Sequence, residues 1–208
     1  MDHGDGAKAV KAILGLAFFL SVGLLTTHSS ADEAAVCLEC HLSKSSPVTA
    51  HKAPVLAGQH PQYIVKQLER FAAANGDDPY RRANTAMVHD LKRLQRSEWK
   101  NIAETLSKET CPFHGNENLP TLTPNPCASC HGPRGLSGNP AVPNLAGQDI
   151  RYLFYQYQKL REPYLTGIPG MEMQDRPQRL HPVMGPLSAR LKDSVVSIML
   201  YYSKLPCR

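Results

Sequence analysis

Apolar residues recur along this chain at helical intervals. Ile64, Val65, Leu68 and Phe71 fall three to four residues apart, which predicts an amphipathic helix from Pro61 to about Ala74. Trp99, Ile102, Ala103 and Leu106 repeat the pattern after Ser97, a candidate N-cap, and predict a helix that reaches Lys108. Two later stretches carry the same signature, Asp149 to Arg161 and Asp193 to Lys204. No stretch alternates apolar and polar residues as a half-buried strand does, so the fold class is all-α.

One apolar run differs. It extends from Ala12 to Leu25, follows Lys8 and Lys11, and leads to the small residues Ser29-Ser30-Ala31 of a signal-peptidase site. It is short for a full membrane span of roughly 20 residues. A cleaved export signal is therefore favoured over a retained anchor, with membrane association through this segment if it is kept. Either way the remainder lies outside the cytoplasmic membrane, most simply in a bacterial periplasm.

The helical patterns come in two sets. Pro54-Val55-Leu56-Ala57-Gly58-Gln59 returns as Pro143-Asn144-Leu145-Ala146-Gly147-Gln148, Tyr63 as Tyr152 and Gln67 as Gln156. Farther on, Met87 matches Met184, Ser107-Lys108 matches Ser203-Lys204, and Cys111 matches Cys207. Two copies of one small domain follow, at 32–113 and 127–208, after an N-terminal segment 1–31. Residues 114–126, with Pro120, Pro124 and Pro126 and little apolar content, join them as a linker. Small domains of this kind bury too little apolar surface to be secure alone, and a bound group supplies part of such a core.

Each copy opens on the same chemistry. Cys37-Leu38-Glu39-Cys40-His41 and Cys127-Ala128-Ser129-Cys130-His131 are complete C-x-x-C-H motifs, the pattern of covalent c-type haem attachment. Two thiols one helical turn apart add to the haem vinyl groups, and the adjacent imidazole of His41 or His131 becomes an axial iron ligand. A zinc site or a redox dithiol also uses paired cysteines. Neither requires a histidine directly after each second cysteine, and a thioredoxin-like motif belongs in a βαβ setting that is absent here.

Such a haem leaves one axial position, and a repeated Met ahead of the last helix of each copy, Met87 and Met184, suits it. A thioether stabilises ferrous iron, raises the potential and closes the iron to exchangeable ligands. Core filling is the ordinary use of such Met residues. Met171 and Met173 are rivals without repeat support, and His89 and His181 are imidazole rivals.

Composition changes little. The 23 Lys and Arg against 18 Asp and Glu leave a net charge of +5, with no dense basic stripe interleaved with aromatics, so no nucleic-acid partner is indicated. Lys92, Arg93 and Arg96 form either a solvated helix face or a positive rim that steers an acidic partner. Cys111 and Cys207 lie outside both motifs. In an oxidising compartment a bridge between them, free thiols, an intermolecular bridge or a cysteine iron ligand all satisfy the sequence.

The paired motifs, the P-x-L-A-G-Q-x-x-x-Y stretches, the Met before each last helix and Tyr201-Tyr202 resemble the dihaem cytochrome c4 family over nearly all of residues 32–208. The second half matches closely, including His131-Gly132-Pro133-Arg134-Gly135. The first departs, with Leu42-Ser43-Lys44 after His41 and Asp77-Asp78-Pro79-Tyr80-Arg81-Arg82 before Met87. The resemblance implies two tandem class-I cytochrome c folds about a pseudo-twofold axis, carrying two covalent haem c groups close enough for fast internal transfer. It implies that the carbonyls of Pro54 and Pro143 orient the histidines. It also implies redox protein partners: a quinol-oxidising complex, a terminal oxidase, or a periplasmic dehydrogenase of sulfide or thiosulfate. On this reading the chain is an electron carrier with no catalytic residue. An open-iron enzyme such as a peroxidase is the remote alternative. A pyridine haemochrome assay on the mature protein is expected to return two covalently held irons per chain. One iron or none would remove the basis of this reading.

Overall fold

The computed structural model describes residues 30–41, 53–73, 80–82, 84–165, 179–191 and 194–207, together with Met1. The apolar run Ala12 to Leu25, its flanking lysines, the Leu42-Ser43-Lys44 and Asp77-Asp78-Pro79 departures, Met171, Met173 and Asp193 lie outside them. The elements are α1 (Ser30–His41), α2 (Pro61–Ala72), α3 (Thr85–Leu91), α4 (Trp99–Lys108), α5 (Ala128–His131), α6 (Ile150–Arg161), α7 (Met184–Arg190) and α8 (Ser194–Lys204). Short 3-10 turns precede α4 and follow α6. No strand occurs among the described residues. Nor is any helix there long and apolar enough to cross a membrane.

The order is a repeat: α1 to α4 recur as α5 to α8. In the first half, α4 lies against both α1 and α2. Its buried Ile102, Ala103 and Leu106 meet Ala34 of α1 and Ile64 of α2. In the second half, Val195, Ile198, Met199 and Tyr202 of α8 meet Tyr152, Leu153 and Tyr157 of α6. Helical periodicity therefore located the packing faces.

Element ends follow local chemistry. Pro61 opens α2, where a missing N–H costs nothing. Asp149 caps α6 by accepting from the N–H of Arg151 and Tyr152. Ser97, expected as a cap, lies within the 3-10 turn Arg96–Glu98, and α4 starts at Trp99 with no side-chain cap. Burial of the indole and of Ile102 fixes this start in place of a hydroxyl. The first motif ends a helix of 12 residues, whose Ala34 extends the apolar contact onto α4.

Residues 114–126, expected as a linker, are packed on the second half. Leu119 and Leu122 lie against its core. Asn116 donates its N–H to Lys204 O at 2.8 Å, and Arg134 reaches the carbonyls of Leu119 and Glu117 at 2.5 and 2.7 Å. Asn125 donates to the Tyr202 hydroxyl at 2.9 Å.

The halves meet through a reciprocal clasp. Gln148 accepts the N–H of Val55 at 3.0 Å and donates to the Val55 carbonyl at 2.7 Å. Gln59 does the same to Asn144, at 2.8 and 3.1 Å. Gln59 corresponds to Gln148 in the repeat and Val55 to Asn144, so one interaction is made twice about a pseudo-twofold axis. Both glutamines are buried, and pairing every donor and acceptor avoids the cost of roughly 1–3 kcal/mol for each buried group left unsatisfied.

Beside the clasp, Cys111 and Cys207 form a disulfide with Cα atoms 5.8 Å apart, packed with Val55, Ala57 and Phe113. Of the four arrangements open to the sequence, the structure takes the bridge between the repeats. The bond ties the chain just past α4 to the chain just past α8, across 96 residues. Replacing both cysteines by alanine is expected to lower the unfolding free energy by about 2–4 kcal/mol, measured by denaturant titration of the holoprotein.

Candidate cofactor-attachment sites

Both C-x-x-C-H motifs end a helix, so the thiols and the imidazole project from one turn. In the first, Cys37 donates its thiol to Glu33 O at 3.3 Å, and His41 lies one residue past Cys40. His41 Nδ1 lies 2.9 Å from the Pro54 carbonyl. In the second, His131 Nδ1 lies 2.9 Å from the Pro143 carbonyl. A carbonyl only accepts, so Nδ1 carries the proton in both rings and Nε2 is left with its lone pair. This orientation suits a metal-ligating histidine.

Burial lowers the pKa of both imidazoles and thus favours the neutral ring that binds a metal. At His41 the Pro54 carbonyl opposes this and the Arg82 charge adds to it. Burial pushes the Cys37 thiol up to about 11 and raises Cys127 as well. Neither is therefore the low-pKa thiolate of a redox dithiol. The four motif cysteines are unbridged, while Cys111 and Cys207 are paired. Among the described residues, no group of three His, Cys, Asp or Glu side chains converges on a metal position, as a zinc site requires. Two free thiols beside one pinned neutral imidazole, made twice, fit covalent haem.

The Met candidates sit on short helices ahead of the last helix of each half. Met87 is the third residue of α3 and packs against the Phe71, Leu91 and Trp99 cluster. Its N–H is accepted by Asn84 Oδ1 at 3.1 Å. Met184 opens α7, and its N–H is accepted by His181 Nδ1 at 3.1 Å. Asn84 and His181 each lie three residues before a Met and accept its N–H, Asn84 as the N-cap of α3 and His181 from two residues ahead of Val183, the N-cap of α7. Burial, Arg70 and Arg179 push His181 down to about 4, so its ring is neutral and its Nδ1 is free to accept. His181 is thus engaged on the backbone of Met184. His89 is exposed, with Nδ1 3.2 Å from Asp90 Oδ1.

The segment after His131 depends on one glycine. Gly132 has φ 79° and ψ 150°, a region open essentially to glycine alone, and an added Cβ would strike the Leu136 carbonyl. This close turn lets Gly132 O accept from the buried Tyr202 hydroxyl at 3.0 Å, while Pro133 O accepts from Tyr201 at 2.9 Å. The terminal tyrosine pair therefore anchors the second motif to α8. Lys92, Arg93 and Arg96 are exposed, with Arg96 stacked 5.1 Å over the Trp99 ring.

Sequence reasoning missed a polar cluster between the halves. Arg82 donates to Gln67 at 2.9 Å and to Gln156 at 3.4 Å, and Arg179 donates to Gln156 at 2.5 Å and to Gln67 at 3.3 Å. The repetition of Gln67 as Gln156 was visible. Nothing in the linear pattern showed that an arginine from each half would cross to both.

No protein-family model matches the chain. It is similar to a cytochrome c4 of Thiocapsa roseopersicina, 31% identical over 163 residues that cover 70% of this chain and 79% of the relative. It is also similar to a thiosulfate dehydrogenase electron acceptor of Stutzerimonas stutzeri (strain A1501), 27% identical over 152 residues, or 65% of this chain and 68% of that one. Among solved structures, reduced recombinant cytochrome c4 from Pseudomonas stutzeri superimposes with a TM-score of 0.61 at 24% identity, covering 85% of this chain and 96% of that chain. Gly132→Ala is expected to cost about 1–3 kcal/mol through backbone strain. It should reduce covalent haem from two toward one per chain, read by haemochrome content alongside the thermal midpoint.

Proposed function

The chain belongs to the cytochrome c4 family, and on that premise we propose that it is an exported dihaem carrier in which His41 and Met87 ligate one iron and His131 and Met184 the other. Each haem c, when attached, supplies one ferric/ferrous couple. Cys37 and Cys40, and Cys127 and Cys130, are the covalent anchors. Pro54 and Pro143 hold the imidazoles in one tautomer and one orientation through their 2.9 Å bonds. Met87 and Met184 offer soft sulfur donors from helix turns, so each thioether is presented by ordered backbone. The apolar clusters of both halves exclude water, which keeps reorganisation small when a charge arrives or leaves. No acid, base or nucleophile of the protein is needed.

The observation that carries this reading is the histidine–proline bond, formed at the same length in both halves at both motifs. Export places the carrier in the periplasm, facing redox proteins. A second reading is supported by the similarity to a thiosulfate dehydrogenase electron acceptor: the chain receives electrons as a subunit or dedicated partner of such an enzyme. Purifying the native protein and identifying any polypeptide that accompanies it separates the two.

The ligand set is tested by spectroscopy. The oxidised protein is expected to show the thioether-to-iron charge-transfer band for two irons. Met87→Ala and Met184→Ala should each halve that band and lower one of the two potentials. An unchanged spectrum in either variant would refute that ligand assignment, and absence of the band from the native protein would revive the open-iron reading.

A further inference from the structure

His60 stands directly before α2 as its N-cap residue, but its imidazole makes no capping bond to that helix. The ring reaches the other half, where Nε2 lies 3.0 Å from the Ser137 carbonyl. A carbonyl only accepts, so Nε2 carries the proton and donates. Asp149 holds the matching place in the repeat. Its carboxylate caps its own helix, α6, through the N–H groups of Arg151 and Tyr152. The two matching side chains therefore do different work, and only the histidine crosses.

The crossing ends on the second attachment site. Ser137 is buried, and its hydroxyl donates to the Cys130 carbonyl at 2.8 Å and accepts the N–H of Asn139 at 3.1 Å. The N–H of Ser137 is accepted by Asn144 Oδ1 at 2.8 Å, and Asn144 Nδ2 donates to the Gly58 carbonyl at 3.0 Å. Asn144 directly follows Pro143, whose carbonyl holds His131. Leu145 and Ala146 both donate to Gly135 O, at 2.8 and 3.0 Å, so the segment 135–146 closes on itself. Three consecutive residues of the first half, Gly58, Gln59 and His60, thus grip this one segment. The same segment carries both the bond to Cys130 and the carbonyl on His131.

We propose that His60 is a positioning residue for the second haem: through Ser137 it holds the segment 135–146 so that the Pro143 carbonyl stays on His131. The proposal rests on the dihaem reading above and deepens it, since it gives a residue of the first half a role at the second site. His60 supplies no ligand. It acts by keeping the His131 ring oriented and the turn at Cys130 fixed. A carbonyl that accepts from an iron-bound imidazole makes the ring a stronger donor, which favours ferric iron. Loosening that bond therefore raises the potential of the second haem and leaves the first unmoved.

The test uses the full holoprotein, reduced to its diamagnetic ferrous form, and follows hydrogen exchange of the two axial ring N–H groups by NMR. His60→Ala should speed exchange at His131 by about tenfold or more and leave His41 within about twofold. It should also shift the second haem's reduction equilibrium roughly threefold toward ferrous. His60→Gln keeps a side-chain N–H of similar reach and should recover most of both effects. Ser137→Ala removes the hydroxyl link to Cys130, so His60→Ala added to it should change less than the sum of the two single variants. Native exchange at His131 together with a native second potential in His60→Ala would refute the assignment. Equal changes at both haems, or no recovery with glutamine, would also overturn it, because loss of packing alone gives those results. If His60→Ala does not mature, His60→Gln and Ser137→Ala decide: effects confined to His131 support the role, and effects shared with His41 reject it. A native protein with fewer than two covalent haems would instead sink the dihaem reading, so the two failures are distinguishable.

Discussion

A buried imidazole that donates one ring proton to a proline carbonyl sets the rest of this structure. His41 and His131 are each tied this way at 2.9 Å, and each bond fixes which nitrogen keeps its lone pair and where it points. The chain around each bond follows from it. A helix must end at the histidine so that two thiols precede it by one turn. A loop must bring Pro54 or Pro143 back over the ring. Under the proposed ligation, a helix turn presents a Met from farther along the chain. The halves reach this with different local material: a helix of 12 residues before His41 and one of 4 residues before His131.

The second constraint is the pseudo-twofold contact. Side-chain amides carry it twice, once in the Gln59 and Gln148 clasp on backbone and once in the glutamine and arginine cluster. The clasp glutamines are buried and pair with backbone on both donor and acceptor sides, as a buried amide requires, while the arginine cluster is half-buried. Apolar faces alone would permit sliding. Paired amides with fixed donor and acceptor directions permit only one register, and the Cys111–Cys207 bridge holds the ends of both halves to it. The contact thereby sets the relative placement of the two attachment sites.

Much of the candidate site was legible because its chemistry is local. C-x-x-C-H is a five-residue pattern, and its spacing follows from the reach of a helical turn. The repeat pointed to Met87 and Met184, since duplicated residues at matching places suggest a shared job, and the family resemblance pointed to Pro54 and Pro143. His181 shows where this stopped. As a residue type it was a rival iron ligand, but the fold sets its Nδ1 against the N–H of Met184, as it sets Asn84 Oδ1 against that of Met87. Ser97 shows the same at an element end, since burial of Trp99 fixes where α4 begins. Residues 114–126 lack an apolar pattern, yet Leu119 and Leu122 with a few backbone bonds order them on the second half.

The amino-acid sequence by itself determined the all-α class, the duplication, the two C-x-x-C-H motifs as attachment candidates and the thioether candidates. Each of these depends on residues within a turn or two of one another, or on exact repetition. Only the tertiary structure decided that Cys111 meets Cys207, that each glutamine clasps the opposite backbone, and that Arg82 and Arg179 share Gln67 and Gln156. Those arrangements bring together distant parts of the chain, and no local interaction fixes them. They exist because two small units must bury complementary surface against each other, and the sign and direction of every buried polar group then select a single arrangement.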